Sequence, residues 1–78
     1  MKELLIALAQ GLVDDPDAVS VTVDEPDEAG TTTYHLRVSP EDIGRVIGKQ
    51  GRIAKAVRTI MKSAAIRNRE KINVEIDD

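Results

Sequence analysis

Ile43-Gly44-Arg45-Val46-Ile47-Gly48-Lys49-Gln50-Gly51-Arg52-Ile53 is the stretch on which the reading of this 78-residue chain turns. Gly48 and Gly51 bracket Lys49 and Gln50 between two apolar periodic runs. A Gly-x-x-Gly between two helices brings bare backbone N–H groups close to a ligand, because neither glycine carries a Cβ. The helix beginning there adds unpaired first-turn donors and the positive end of its dipole. Lys49 and Arg52 place two full charges beside them. The combination suits a phosphodiester backbone. Two glycines at this spacing are weak evidence by themselves, since Gly48 also reads as a left-handed cap ending one helix and Gly51 as a permissive entry to the next. Gly44 lies one helical turn before Gly48, so the same face lacks a side chain twice. That fits either close approach of a ligand or tight packing of helix on strand.

Just upstream, Ser39-Pro40-Glu41-Asp42 is a helix start, with Ser39 as N-cap, Pro40 at the first helical position and Asp42 at capping-box-like spacing. The short helix it opens ends at Gly48. Downstream, a second helix is expected from about Arg52 to Arg69, with Ile53, Ala56, Val57, Ile60 and Ala64 on one side. Arg52, Lys55, Arg58, Lys62 and Arg69 form a basic band on the other. Met61 falls at the edge of the apolar face and Ile66 within the basic band. Either these two residues mark an association surface, or Met61 completes the core and a late kink turns Ile66 inward.

Further out, Leu4, Leu5, Leu8 and Leu12 fall at helical spacing over Glu3–Val13, before Asp14-Asp15-Pro16 stops the helix. Val19–Val23 alternates as a half-buried strand, and the acidic stretch Asp24 to Gly30 reads as a loop. A second strand puts Tyr34, Leu36 and Val38 inward, and a last one covers Ile72–Ile76. The first two strands should pair as an antiparallel hairpin, and the last should return parallel to one of them after the helical crossover. The order helix, strand, strand, helix, helix, strand implies one α+β domain over residues 1–78. In it a three-stranded mixed sheet is covered on one face by three helices. Ser20, Thr22, His35, Arg37, Asn73 and Glu75 are left on the polar outer face.

Charge is segregated along the chain. Residues 1–39 hold two basic and eight acidic side chains, whereas residues 43–71 hold nine basic and one acidic. A net charge of −3 therefore conceals a local positive field on the half that contains the glycine loop. The chain has no cysteine, hence no disulfide or thiolate metal site. No apolar run is long enough for a bilayer span or a secretory signal, so a cytoplasmic location is expected. His35 is the only histidine and sits on an outward strand position. The acidic groups Asp14, Asp15, Asp17 and Asp24, Glu25, Asp27, Glu28 match no calcium-loop spacing and read as solubilising. No nucleophile–base pair stands out. The expectation is a non-enzyme without metal, cofactor, small-molecule substrate or membrane contact.

Val46-Ile47-Gly48-Lys49-Gln50-Gly51-Arg52-Ile53 resembles the signature of the KH RNA-binding domain, and the order of elements resembles its type II, bacterial arrangement. The likeness covers essentially the whole chain. Gly-Arg-Val-Ile-Gly-Lys-x-Gly-Arg in a chain this short resembles the small bacterial KhpA/YlqC-like family in particular. The resemblance implies that about four nucleotides of single-stranded RNA are held by the loop. By position, Gly48, Lys49, Gln50 and Gly51 would hold phosphates, flanked by Arg45 and Arg52, with Gly44 and Lys55 counted among the binding residues. Ile47, Ile53 and Val57 would line or support an aliphatic groove for bases, and the Tyr34–Val38 strand would offer backbone groups to base edges. Tyr34 as the sole aromatic excludes a stacking platform of the RRM or OB kind. The family likeness further implies a homodimer, or a heterodimer with a KhpB (Jag/EloR)-like partner, and roles in RNA regulation, cell elongation, division and cell shape. The rival reading is a protein-interaction module whose basic helix docks an acidic partner. Single-stranded DNA is a third, because a phosphate-reading loop does not by itself recognise a 2′-hydroxyl.

Overall fold

The structure, a computed structural model, describes residues 1–77 and, for Lys49 and Gln50, the backbone alone. Helix α1 (Lys2–Gln10) leads through a single 3-10 turn (Pro16–Ala18) into β1 (Ser20–Val23) and β2 (Thr31–Arg37). Helix α2 (Pro40–Arg67) and β3 (Lys71–Asp77) complete the chain. Helical turns run without a gap from Pro40 to Arg67, but Gly51 sits at φ 68°. A left-handed residue does not fit a straight right-handed helix, so Gly51 divides α2 into an arm over 40–50 and a longer arm over 52–67. The expected α-β-β-α-α-β order stands, with the 3-10 turn at Pro16 added.

The sheet runs β1-β2-β3. β1 pairs antiparallel with β2, setting Val21 opposite Leu36 and Val23 opposite Tyr34. β3 pairs parallel with β2, setting Val74 opposite Tyr34 and Ile76 opposite Leu36. The inward positions Val21, Tyr34, Leu36 and Val74 are buried against Leu5 and Ala9 of α1 and Val57 and Met61 of α2. Period-2 alternation thus became a one-sided sheet, as a half-buried strand pattern requires. Ser20, Thr22, Arg37, Asn73 and Glu75 are exposed on the other face.

The element ends differ from expectation in ways with physical causes. α1 stops at Gln10, where the Gly11 N–H closes on the Ala7 carbonyl, rather than running to Val13. The long helix ends at Arg67 in a Schellman motif: the Glu70 N–H reaches the Ala65 carbonyl, the Arg69 N–H reaches Ile66, and Arg69 takes φ 57°. The buried stripe of the 52–67 arm is Ala54, Val57, Met61 and Ala65. It is centred roughly 90°, at 100° per residue, from the expected face of Ile53, Ala56, Val57, Ile60 and Ala64, and shares only Val57 with it. Met61 is fully buried and completes the core, whereas Ile66 is 76% exposed and does not turn inward.

Arg58, expected in the solvent-facing basic band, folds back instead, and its Nε donates to the Val74 carbonyl of the edge strand β3 at 3.1 Å. A side-chain donor on an edge carbonyl blunts the free edge.

Candidate nucleic-acid interface

The 40–50 arm begins at Ser39, whose Oγ accepts the Asp42 N–H at 3.3 Å and donates to Asp42 Oδ2 at 2.9 Å. The cap differs from a reciprocal capping box, in which the third-position carboxylate turns back to the N-cap N–H. Here the Asp42 carboxylate instead accepts the backbone N–H groups of Asp14 and Asp15, each at 3.1 Å, from the segment after α1. Asp42 is only 2% exposed. The Asp14 N–H bond, helped by the Ser39 hydroxyl, the Asp15 N–H and the nearby Arg45 charge, holds its carboxyl below the usual value of 3.8 against the opposing effect of burial. One buried carboxylate thus ties the first crossover to the arm that carries the glycines.

Gly44, Arg45, Gly48, Arg52 and Ile53 line a single open groove of about 540 Å³. A Cβ built on Gly44 or on Gly48 meets nothing within 4 Å. The packing alternative for Gly44 is therefore set aside, because no strand lies against it. Both glycines face open space from which a ligand can approach the helix backbone. Gly51 needs its positive φ to turn the chain between the arms. Arg52 and Lys55 are exposed, Ile47 is 44% exposed, and Ile53 is half-buried between groove and core. The side chains of Lys49 and Gln50 lie outside the described residues.

Two expected contributions take a different form. Val57 is 1% exposed within the core, so it can support the groove but not form its wall. β2 is the central strand, and Tyr34–Arg37 are paired with β1 on one side and β3 on the other. Its backbone groups are spent on those two ladders and are not offered to base edges.

Arg45 makes a contact that spacing does not reveal. Its two terminal nitrogens meet the Asp14 carboxylate, Nη1 to Oδ1 and Nη2 to Oδ2, both at 2.8 Å. The partners are 31 residues apart, and the only sequence signal was a cluster of acids at a helix end. On the opposite side of the sheet, the His35 ring contacts Asp24 at 2.7 Å and Asp77 at 3.5 Å. The Asp24 hydrogen bond is the main cause that raises its pKa above 6.5, with both carboxylate charges adding and burial opposing. Burial pushes the Tyr34 hydroxyl up, with Glu70 and Glu3 adding to it. Among the described residues, no group of three or more His, Cys, Asp or Glu side chains is placed to hold a metal ion, and no helix is long and apolar enough to cross a membrane.

A family model described as KhpA/KhpB, KH domain, matches residues 2–76. The chain is 53% identical over 76 residues to the RNA-binding protein KhpA of Clostridium perfringens, covering 97% of this chain and 99% of that one. It is 50% identical to the protein of the same name from Listeria monocytogenes, covering 97% of each. Among solved structures, Era of Aquifex aeolicus bound to GDP.AlF4- superposes with a TM-score of 0.66 at 16% identity. A structure of Era in complex with MgGDPNP and nucleotides 1506-1542 of 16S ribosomal RNA gives 0.64 at 15%. Each match covers 96% of this chain but 28% of the Era chain, and at such identity the likeness is one of fold. With a family model over nearly the whole chain and relatives half identical to it along their full length, the chain belongs to the KhpA/KhpB family of KH domains.

Proposed function

We propose that this protein binds single-stranded RNA, holding about four nucleotides along the groove between the two arms of α2, with backbone phosphates at Gly48–Gly51. The observation that carries this reading is the pair of uncovered glycines, Gly44 and Gly48, opening onto a groove whose lining also holds Arg45 and Arg52. Glycines that no protein atom requires to be small leave room for something outside the protein. The names of the curated relatives, RNA-binding protein KhpA, support the same ligand.

Placing Asp at both positions 49 and 50 should abolish binding of a labelled single-stranded oligonucleotide while the melting temperature holds. RNA binding undiminished by that change would remove the loop from the site. Running the assay with DNA of the same sequence separates the two nucleic acids.

A dimeric working form is the second part of the proposal. Leu4, Ile60 and Ala64 line a shallow depression on the outer side of α1 and α2, and Ile60 is 44% exposed. An isoleucine left in water at a helix–helix junction suits a second KH domain, either another copy or a KhpB-like partner. Pairing would raise the avidity of a short footprint without new RNA contacts. Such a protein fits an RNA chaperone or post-transcriptional regulator tied to cell elongation and division, and RNA cross-linked in cells with and without the partner tests that role. RNA recovered only with the partner present would favour the protein-interaction reading.

A further inference from the structure

The Arg45–Asp14 pair lies at the edge of the groove, and its geometry has a consequence for binding. Arg45 lines the groove, yet both terminal nitrogens of its guanidinium face the Asp14 carboxylate at 2.8 Å. A phosphodiester presents the same single negative charge and the same two-oxygen edge to a guanidinium as a carboxylate does. While Asp14 occupies that edge, Arg45 adds no net charge to the groove.

The contact is held by construction. Asp14 belongs to the segment after α1, and its own N–H and that of Asp15 are fixed on the buried Asp42 carboxylate. Asp42 sits one helical turn before Arg45 on the same arm, so fixing that backbone keeps the Asp14 side chain within reach of the guanidinium. The pair itself is open to solvent, with Arg45 52% and Asp14 71% exposed. An exposed pair of this kind is weak and screened by salt, so an arriving phosphate can displace it.

We propose that Asp14 is a built-in brake on the groove: it occupies Arg45 in the free protein, and RNA must take the guanidinium from it. The inference rests on the groove being the RNA site. The result is a site whose affinity is lowered by its own carboxylate, and whose salt dependence is shallower than its count of basic residues suggests.

The test measures fluorescence anisotropy of one labelled single-stranded RNA with wild type, Asp14→Asn, Arg45→Gln, the double variant, and the variant with Asp at 49 and 50. Asp14→Asn keeps the backbone N–H bonds to Asp42, and Asp14→Ser serves as a second neutral replacement if Asn alters the melting temperature. Asp14→Asn is expected to tighten binding about two- to fivefold at low salt. It should also steepen the slope of log affinity against log salt, because salt screens the Arg45–Asp14 pair and so relieves the wild type of its brake as ionic strength rises. In the Arg45→Gln background the gain should vanish. Unchanged or weaker binding by Asp14→Asn overturns the brake, as does a gain that persists without Arg45, which would mean a general field effect. If Asp at 49 and 50 leaves binding intact, the groove itself is not the RNA site, and the brake falls with it for that separate reason.

Discussion

Gly51 holds φ at 68°, and an alanine forced into that region loses about 1 kcal/mol relative to glycine. Gly44 and Gly48 are helical and have nothing within 4 Å of a built Cβ. Alanine at either should leave the fold unharmed or stabilise it by about 0.5–1 kcal/mol through reduced backbone entropy. The expected pattern is opposite in sign across one motif: a lower melting temperature for Gly51→Ala, an equal or higher one for Gly48→Ala, and weaker RNA binding for both. Thermal melts beside an anisotropy titration read this directly. A Gly48→Ala protein that melts low would mean that the glycine serves the fold. Asp42 makes a second residue-scale case. Its carboxyl is depressed in the folded state, so its stabilisation is present above the ordinary carboxylate value and is lost as pH falls through the folded value. Melting temperature should drop on acidification through that range, and the Asp42→Asn protein, destabilised at neutral pH, should show a flatter profile there. Equal acid sensitivity of the two would assign the effect to other carboxylates.

At the scale of the elements, α2 carries two apolar faces, one buried and one exposed. Met61 is fully buried among Leu5, Val57 and the inward residues of the sheet, so Met61→Ala should cost about 2–5 kcal/mol. For a domain this small, a loss of that size is a large fraction of the stability expected of it. Ile60, its chain neighbour, is 44% exposed, and Ile60→Asp should change the melting temperature of the monomer little. If the outer face is the pairing surface, the same substitution shifts the mass measured by light scattering to that of a monomer. A wild-type protein that is already monomeric at high concentration, alone and with a KhpB-like partner, would sink the dimer. The Arg58 bond to Val74 shows a further division within the helix: one expected surface cation is used to close a strand edge rather than to meet a ligand.

Across the whole molecule, an acidic first half and a basic second half meet at the groove through Asp14 and Arg45. With a net charge of −3 the molecule as a whole does not attract nucleic acid, so the proposed binding rests on the local field of the glycine arm. A footprint of about four nucleotides predicts a salt slope of no more than roughly −3 for single strands. Titration over a range of potassium concentrations checks it, and a slope near −10 would require a far larger surface than one groove. If the proposed dimer forms, its added avidity on a long RNA should be read as tighter binding to two linked sites than to one.

The order of elements, the one-sided sheet, the loop glycines and the segregation of charge were all legible in the sequence, because each rests on local periodicity or on the identity of a residue beside its neighbours. Alternation in Val19–Val23 and Ile72–Ile76 names a strand and its inward face without knowledge of the partner strand. Tertiary structure alone decided which apolar arc of the 52–67 arm is buried. Two overlapping arcs were available, and packing against α1 and the sheet chose the one with small Ala54 and Ala65 beside Val57 and Met61, leaving Ile60 and Ile66 outside. It also decided that Gly44 faces open space, that β2 lies in the middle of the sheet with its backbone spent, and that Asp14 reaches across the chain to Asp42 and to Arg45 at the groove. Those facts depend on residues brought together from positions about 30 apart, and no pattern within a single element encodes such a meeting.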